Sequence, residues 1–307
     1  MAITTYAELL TAIQNYEDDT SAIVTDRQAE WVTLCENRIH YGFGSPGMPF
    51  YSPALRLRQM ERTVTIPIQS NQDGGTSAGS ANAHTVTLTT SPTVALGLTI
   101  SFTAGYTNTG ATTFNPNSVG AVDVRKGVNL DALEAGDIVA GAKYTVYYDG
   151  TYYVLMPSSG GVPLPSRYLG MKEIYLQGSP HTPLDFMAPS HFSGILAGAE
   201  ADSPTAYTIQ GDCIRFAPIP GSSEYVICTY WRKFAALSSA THALFLDAPN
   251  IYLYGSLLEA ALYLGEDENA IKWHGNFTSA CQGVANSDQR DRYGAAPLRM
   301  RVAGPTP

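Results

Sequence analysis

Between Gln69 and Gly160 the chain stops reading as helix, and this limits the folds open to it. The block is 92 residues long, holds nine charged residues and 22 Ser or Thr, and shows no 3.6-residue periodicity. Its apolar residues alternate in short runs: HTVTLTT, LTISFTA, VDVRK and KYTVYYDGTYYVLM. Alternation puts every second side chain on one face of a pleated strand, so such runs stabilise half-buried β-structure. Asp149-Gly150 is a two-residue type I′ turn signal in the last run. The stretches SNQDGGTSAGSAN and PSSGG at the flanks are linker-like. The pattern predicts a separate all-β module over 69–160, inserted into a host formed by 1–68 and 161–292.

The host begins and ends with helical patterns. Thr5 and Glu8 form a capping box for a helix over 4–17, with Leu9, Ile13 and Tyr16 at helical spacing. A second helix is expected after Thr25, with Gln28 closing another box, Ala29, Val32, Cys35 and Ile39 on one face, and Gly42 as its stop. Leu55 to Ile68 alternates and turns into strand. VPLPSRYLGMKEIYLQ resumes strand, and YTIQGDCIRFAPIP and EYVICTYWRKF read as two more around a turn. Asp247 can cap a third helix with Pro249 in its first turn. Ile251, Tyr254, Leu258, Ala261 and Leu262 make its stripe, and Gly265 ends it. A fourth helix starts at Asp267, with Ala270, Trp273, Phe277, Cys281 and Val284 on one side. The expected fold is therefore α+β: a helical bundle from the N- and C-terminal helix pairs, packed beside a small antiparallel sheet, with an inserted all-β domain. Residues 293–307, broken by Gly and Pro, read as an extended docking tail.

Composition narrows the function. Charged residues make up 15% of the chain, below the roughly 25% usual for globular proteins. With 19 Tyr and 44% hydrophobic residues, that balance excludes wholesale disorder and suits a surface partly covered by partners. The net charge of −9 is spread along the chain, and no Lys/Arg cluster offers nucleic-acid phosphates a tight grip. Cys35, Cys213, Cys228 and Cys281 lack CxxC spacing and read as buried hydrophobes of a reducing compartment, the alternative being a Cys213–Cys228 disulfide across adjacent strands. The start MAITTYAELL has no basic region, so no signal peptide is expected. No apolar run reaches the length of a membrane span.

No motif carries chemistry. GxGxxG occurs at Gly42, Gly44 and Gly47, but it follows a helix and contains Pro46, whereas a dinucleotide fingerprint follows a strand and opens a helix. The six histidines show no metal-ligand spacing, and no nucleophile elbow, which needs a strand–turn–helix setting, is expected. Glu266, Asp267 and Glu268 read as a solvated helix start, favoured by the macrodipole, not as a calcium loop. Neither catalysis, nor a cofactor, nor a metal is expected. Arg56, Arg58 and Arg62 form one basic group, and Arg290, Arg292, Arg299 and Arg301 another. Each is either a solvated face or a set of salt bridges across a subunit interface. Tyr147, Tyr148, Tyr152 and Tyr153 either stack on sugars or cover the β module's own core.

The host segments TYAELLTAIQNY, TLCENRI, RLRQMERTVTIPI, PLPSRYLGMKEIYL, IRFAPIP, TYWRKF, and above all APNIYLYGSLLEAALYL through DRYGAAPLRMR, resemble bacteriophage head–tail adaptor (connector) proteins. The resemblance covers roughly 1–68 and 161–301. The block 69–160 departs from it and is similar to small β modules of phage tail fibres and other virion proteins. The resemblance implies a structural virion protein at the neck, assembled in the host cytoplasm. It implies a ring, of twelve copies in the family, between the portal protein and a tail or nozzle protein, passing genomic DNA without binding it tightly and needing no membrane. Carried onto this sequence, Tyr293, Pro297, Leu298, Arg299, Met300 and Arg301 would dock on the portal. Tyr252, Tyr254, Leu258 and Glu259 would support the ring, and Arg56, Arg58 and Arg62 would bridge subunits. The alternative is a fibre-like or carbohydrate-binding virion component acting through 69–160.

Overall fold

A computed structural model describes residues 3–17, 22–69, 71–89, 94–156, 161–178, 180–196 and 202–293. Among them the chain forms six α-helices and seventeen strands. The helices are α1 (Tyr6–Glu17), α2 (Ala22–Tyr41), α3 (Pro189–Leu196), α4 (Ala243–Asp247), α5 (Pro249–Leu264) and α6 (Asp267–Tyr293). The chain divides into two compact units, one of residues 1–61 and 233–307, the other of residues 62–232.

The first unit is helical, and its centre is α5. Ile251, Tyr252, Leu253, Leu257, Leu258, Ala260 and Ala261 are all buried, so α5 is covered on nearly every side. A helix that is apolar all round takes partners all round, and α1, α2, α4 and α6 each pack against it. Gly255 makes the closest approach possible: a β-carbon there would lie 2.3 Å from Cys35 Sγ and 3.0 Å from the Phe277 ring. Local stop and start signals act as written. The Thr5 and Glu8 side chains reach each other's backbone N–H groups at 3.3 and 2.9 Å. Gly42 and Gly265, at φ +75° and +76°, close α2 and α5. Two caps differ. The second helix starts at Ala22, leaving Thr25 inside it, and α5 starts after Ala248 with no side-chain cap, because Asp247 ends α4 and accepts from Gln59 Nε2 at 2.9 Å.

The second unit holds three sheets. The first runs β1 (Glu61–Ile68), β17 (Glu224–Arg232), β12 (Tyr168–Leu176), β13 (Thr182–Pro183). The second runs β11 (Gly161–Pro163), β16 (Cys213–Ala217), β15 (Ala206–Gln210), β14 (Asp185–Phe186). The largest has nine strands in the order β2 (Gln72–Thr76), β5 (Thr99–Thr103), β9 (Lys143–Tyr148), β10 (Tyr153–Met156), β7 (Val122–Lys126), β6 (Thr112–Pro116), β4 (Ala83–Val86) and β3 (Ala78–Ser80), with β8 (Asp131–Ala132) on β7. Its end strands β2 and β3 are separated only by Ser77, so the sheet curls into a nearly closed barrel. Ser77 pins the seam: its N–H donates to Thr103 O at 2.8 Å, and its Oγ accepts from Gly105 N at 2.9 Å and meets His84 Nδ1 at 2.9 Å. Phe102, Phe114, Val146 and Tyr153 fill the interior.

The expected architecture, a helical bundle of N- and C-terminal pairs beside one small antiparallel sheet with an inserted all-β domain, is overturned. Strands rival helices, they form three sheets, and β2/β5, β4/β6, β7/β10 and β14/β15 pair in parallel. Strands paired so far apart in sequence leave no local mark. The Asp149-Gly150 turn is also longer than expected. Tyr148 pairs with Tyr153, and Asp149 Oδ1 accepts from Thr151 N and Tyr152 N at 2.8 and 2.7 Å, an Asx turn in a four-residue loop. All four cysteines are free and buried. Cys213 and Cys228 lie in different sheets, so the disulfide alternative falls away.

A candidate assembly region in the helical unit

Each residue expected to support a ring has a partner inside its own unit. Glu259 accepts from Arg38, Nη2 at 2.6 Å and Nε at 2.7 Å, with the Arg38 side chain only 2% exposed. Arg38 also donates to Phe50 O at 3.0 Å and lies 4.2 Å over the Phe43 ring. Tyr252 and Leu258 are buried. Tyr254 stacks on Trp273 at 5.9 Å. The glycines of the GxGxxG stretch serve the loop that carries Phe43 and Phe50. All three have positive φ, and a β-carbon at Gly42 would strike Ser52 O at 2.7 Å. They build a return loop with no strand before it and no helix after it.

The three arginines of the first basic group go different ways. Arg56 Nη1 donates to the carbonyls of His40 and Leu55 at 2.9 and 2.7 Å. A cation there complements the last turn of α2, and burial pulls its pKa down. Arg58 donates through its backbone N–H to both Asp288 oxygens at 3.0 and 3.1 Å, and its guanidinium lies 3.5 Å from Asp291. Arg62 belongs to the other unit. The end of α6 is clamped as well, since Arg292 pairs with Asp288 at 2.8 Å and with Glu61 at 2.5 Å. Tyr293 is the last helical residue. Pro297, Leu298, Arg299, Met300 and Arg301 lie outside the described residues.

A buried polar cluster escaped the sequence reading. The Phe234 N–H donates to His40 Nε2 at 3.2 Å, and the Phe234 ring stacks on His242 at 4.3 Å and 7°. His242 Nε2 meets the Tyr252 hydroxyl at 3.2 Å, and Leu237 N–H donates to Glu36 at 2.7 Å. The segment before α4 is thus strapped onto α2 and α5. Burial lowers both histidines to about 4; for His40 the charges of Lys233, His242 and Arg56 add to the effect. Both rings are neutral near pH 7 and serve as packing and hydrogen-bonding groups. The only clue in the sequence is a pair of histidines among apolar neighbours, 194 residues from their backbone partner in the case of His40.

In the barrel, Tyr147 and Tyr153 are buried. Tyr148 packs on Tyr153 at 5.0 Å, and Tyr152 sits under Arg125 at 4.9 Å. These rings cover core and one cation, so a row of exposed sugar-stacking faces is not formed by them. Among the described residues no group of three His, Cys, Asp or Glu side chains could hold a metal ion, and no helix is long and apolar enough to cross a membrane.

No curated protein matches the chain. Residues 139–301, just over half of the chain, match the model of the family described as SU10 adaptor protein. The match begins inside the block expected to depart from the family and leaves out residues 1–68, which the resemblance included. It contains β9–β17, the strap segment before α4, and all of α4, α5 and α6, which carry Glu259 and the Arg292 clamp. With these elements and that match, the chain belongs to the SU10 adaptor protein family.

Proposed function

We propose that the protein is a head–tail adaptor that assembles as a ring on a phage portal and joins it to the tail. The family match over 139–301 carries this reading, because it runs through α5 and α6 and on to Arg301. In this reading the clamped end of α6 gives the tail of Tyr293, Pro297, Leu298, Arg299, Met300 and Arg301 a fixed point of departure toward the portal. The α5 residues Tyr252, Leu258 and Glu259 act indirectly, by holding the helical unit rigid. The net charge of −9 suits a channel that lets DNA pass, because an excess of acidic groups disfavours tight binding of phosphates.

The test is electron microscopy of the purified protein mixed with its portal. Rings seated on one end of the portal, lost on truncation after Tyr293, are the expected result. A monomer that ignores the portal at every concentration overturns the reading.

A further inference from the structure

The second unit has a groove of about 320 Å³ walled by Val64, Ile66, Leu96, Leu130 and Leu164. One wall is β1, the edge strand of its sheet, whose outer backbone groups have no ladder partner among the described residues. Ser166 lines the groove and joins it to a pair of arginines, since Arg232 Nη2 lies 3.5 Å from Ser166 Oγ and Arg167 is the next residue. The ladder sets this arrangement: Tyr168 pairs with Arg232, so Arg167 and Arg232 share one end of the β12/β17 pair.

Several features of this corner run against ordinary packing. Leu130 and Arg167 are non-glycine residues at φ +58° and +60°, a conformation that costs energy and is kept where surrounding structure requires it. Among the described residues neither Arg167 nor Arg232 has an ion pair with a carboxylate, and the buried Nε of Arg232 has no hydrogen-bond partner. Burial first, then Arg232 with Arg62 adding, pulls Arg167 below the usual guanidinium range. Like charges held together on the edge of an apolar groove form a receptor for an anionic group attached to apolar surface.

We propose that this groove and the Arg167/Arg232 pair form a docking site for a second copy of this chain, which places apolar side chains in the groove and a carboxylate on the arginines. The occupant follows from charge. With 27 acidic against 18 basic side chains, an identical copy presents surplus carboxylate, and a patch that meets a different patch of its copy gives the head-to-tail contact a ring requires. DNA is the poorer fit, since two arginines release few counterions. The inference rests on the ring reading and names one face of its contact.

The test compares wild type with R167Q/R232Q and with Leu96→Asp, which puts a charge in the groove at a half-exposed site. Thermal melts confirm folding, and sedimentation follows self-association at low and high salt. Both variants are expected to associate roughly tenfold more weakly than wild type, and the arginine variant is expected to lose most of its salt dependence. Variants that assemble like wild type overturn the site while leaving the ring reading intact. Normal assembly with reduced retention of the arginine variant on DNA-cellulose assigns the site to phosphate and overturns it too. A wild-type protein that stays monomeric even on portal overturns both.

Discussion

Arg38 on α2 and Glu259 on α5 face each other at 2.6 Å, 221 residues apart in the chain. The arginine is almost fully enclosed, its Nη1 is taken by Phe50 O, and its face lies on the Phe43 ring. Removing the carboxylate would leave a buried cation with only neutral partners. Glu259→Ala is therefore expected to lower stability by about 3 kcal/mol, read from urea unfolding, because a broken buried pair leaves an uncompensated charge. Glu259→Gln, which keeps an acceptor, should lose less. A loss below about 1 kcal/mol for the alanine variant would show the pair to be solvated.

Gly255 sets how closely α2, α5 and α6 approach. An added methyl meets Cys35 Sγ at 2.3 Å and Phe277 at 3.0 Å. Alanine is the better helix former by about 1 kcal/mol, but overpacking costs about 1–3 kcal/mol and a contact this short sits at the upper end. Gly255→Ala is expected to destabilise by about 2 kcal/mol. Cys35→Ala in the same chain should recover part of that, a coupling that a double-mutant cycle measures. Additive effects would mean that the helices simply move apart.

Asp288 ties the last turns of α6 to the segment before β1, accepting from Arg58 N and Arg292 Nε. Asp288→Ala should cost about 1 kcal/mol globally. Its larger effect should be local, as faster amide exchange over the last two turns of α6 and at Arg58. If portal binding depends on a fixed exit for the tail, the variant also binds portal more weakly. Unchanged exchange at Arg58 would show that the clamp is not made in solution.

What the sequence displays and what it hides divide along range. The Thr5/Glu8 box, the stops at Gly42 and Gly265 and the start at Asp267 are local, and each appears where its residues put it. Alternation marks 69–160 as strand, yet nothing nearby shows that Ser77 closes a barrel seam or that β2 runs parallel to β5. The α5 stripe misled because Tyr252, Leu253 and Leu257, off the stripe, are buried too. Spacing grouped Arg56, Arg58 and Arg62, and tertiary structure gave them separate tasks. The groove between Val64 and Ser166 joins residues about a hundred positions apart, and only the ladder brings Arg167 beside Arg232.

His40 and His242 give the helical unit a pH response of fixed sign. Both are held near 4, below the unfolded value of about 6.5, by burial above all. A depressed histidine means that the unfolded chain binds the extra proton first. Their contribution is thus whole above about pH 6.5, falls as the pH drops, and is gone below about pH 4. For His40, the more deeply buried, the span corresponds to about 3 kcal/mol, and for His242 to less. Protonation at His40 Nε2 also removes the acceptor of the Phe234 N–H, so the strap should loosen before the helices do. Urea midpoints at about pH 7 and about pH 5 should differ in wild type and differ less in His40→Gln, with the amide protection factors of Phe234 and Leu237 falling first in acid. Equal pH slopes for wild type and variant would show that His40 is not the titrating group.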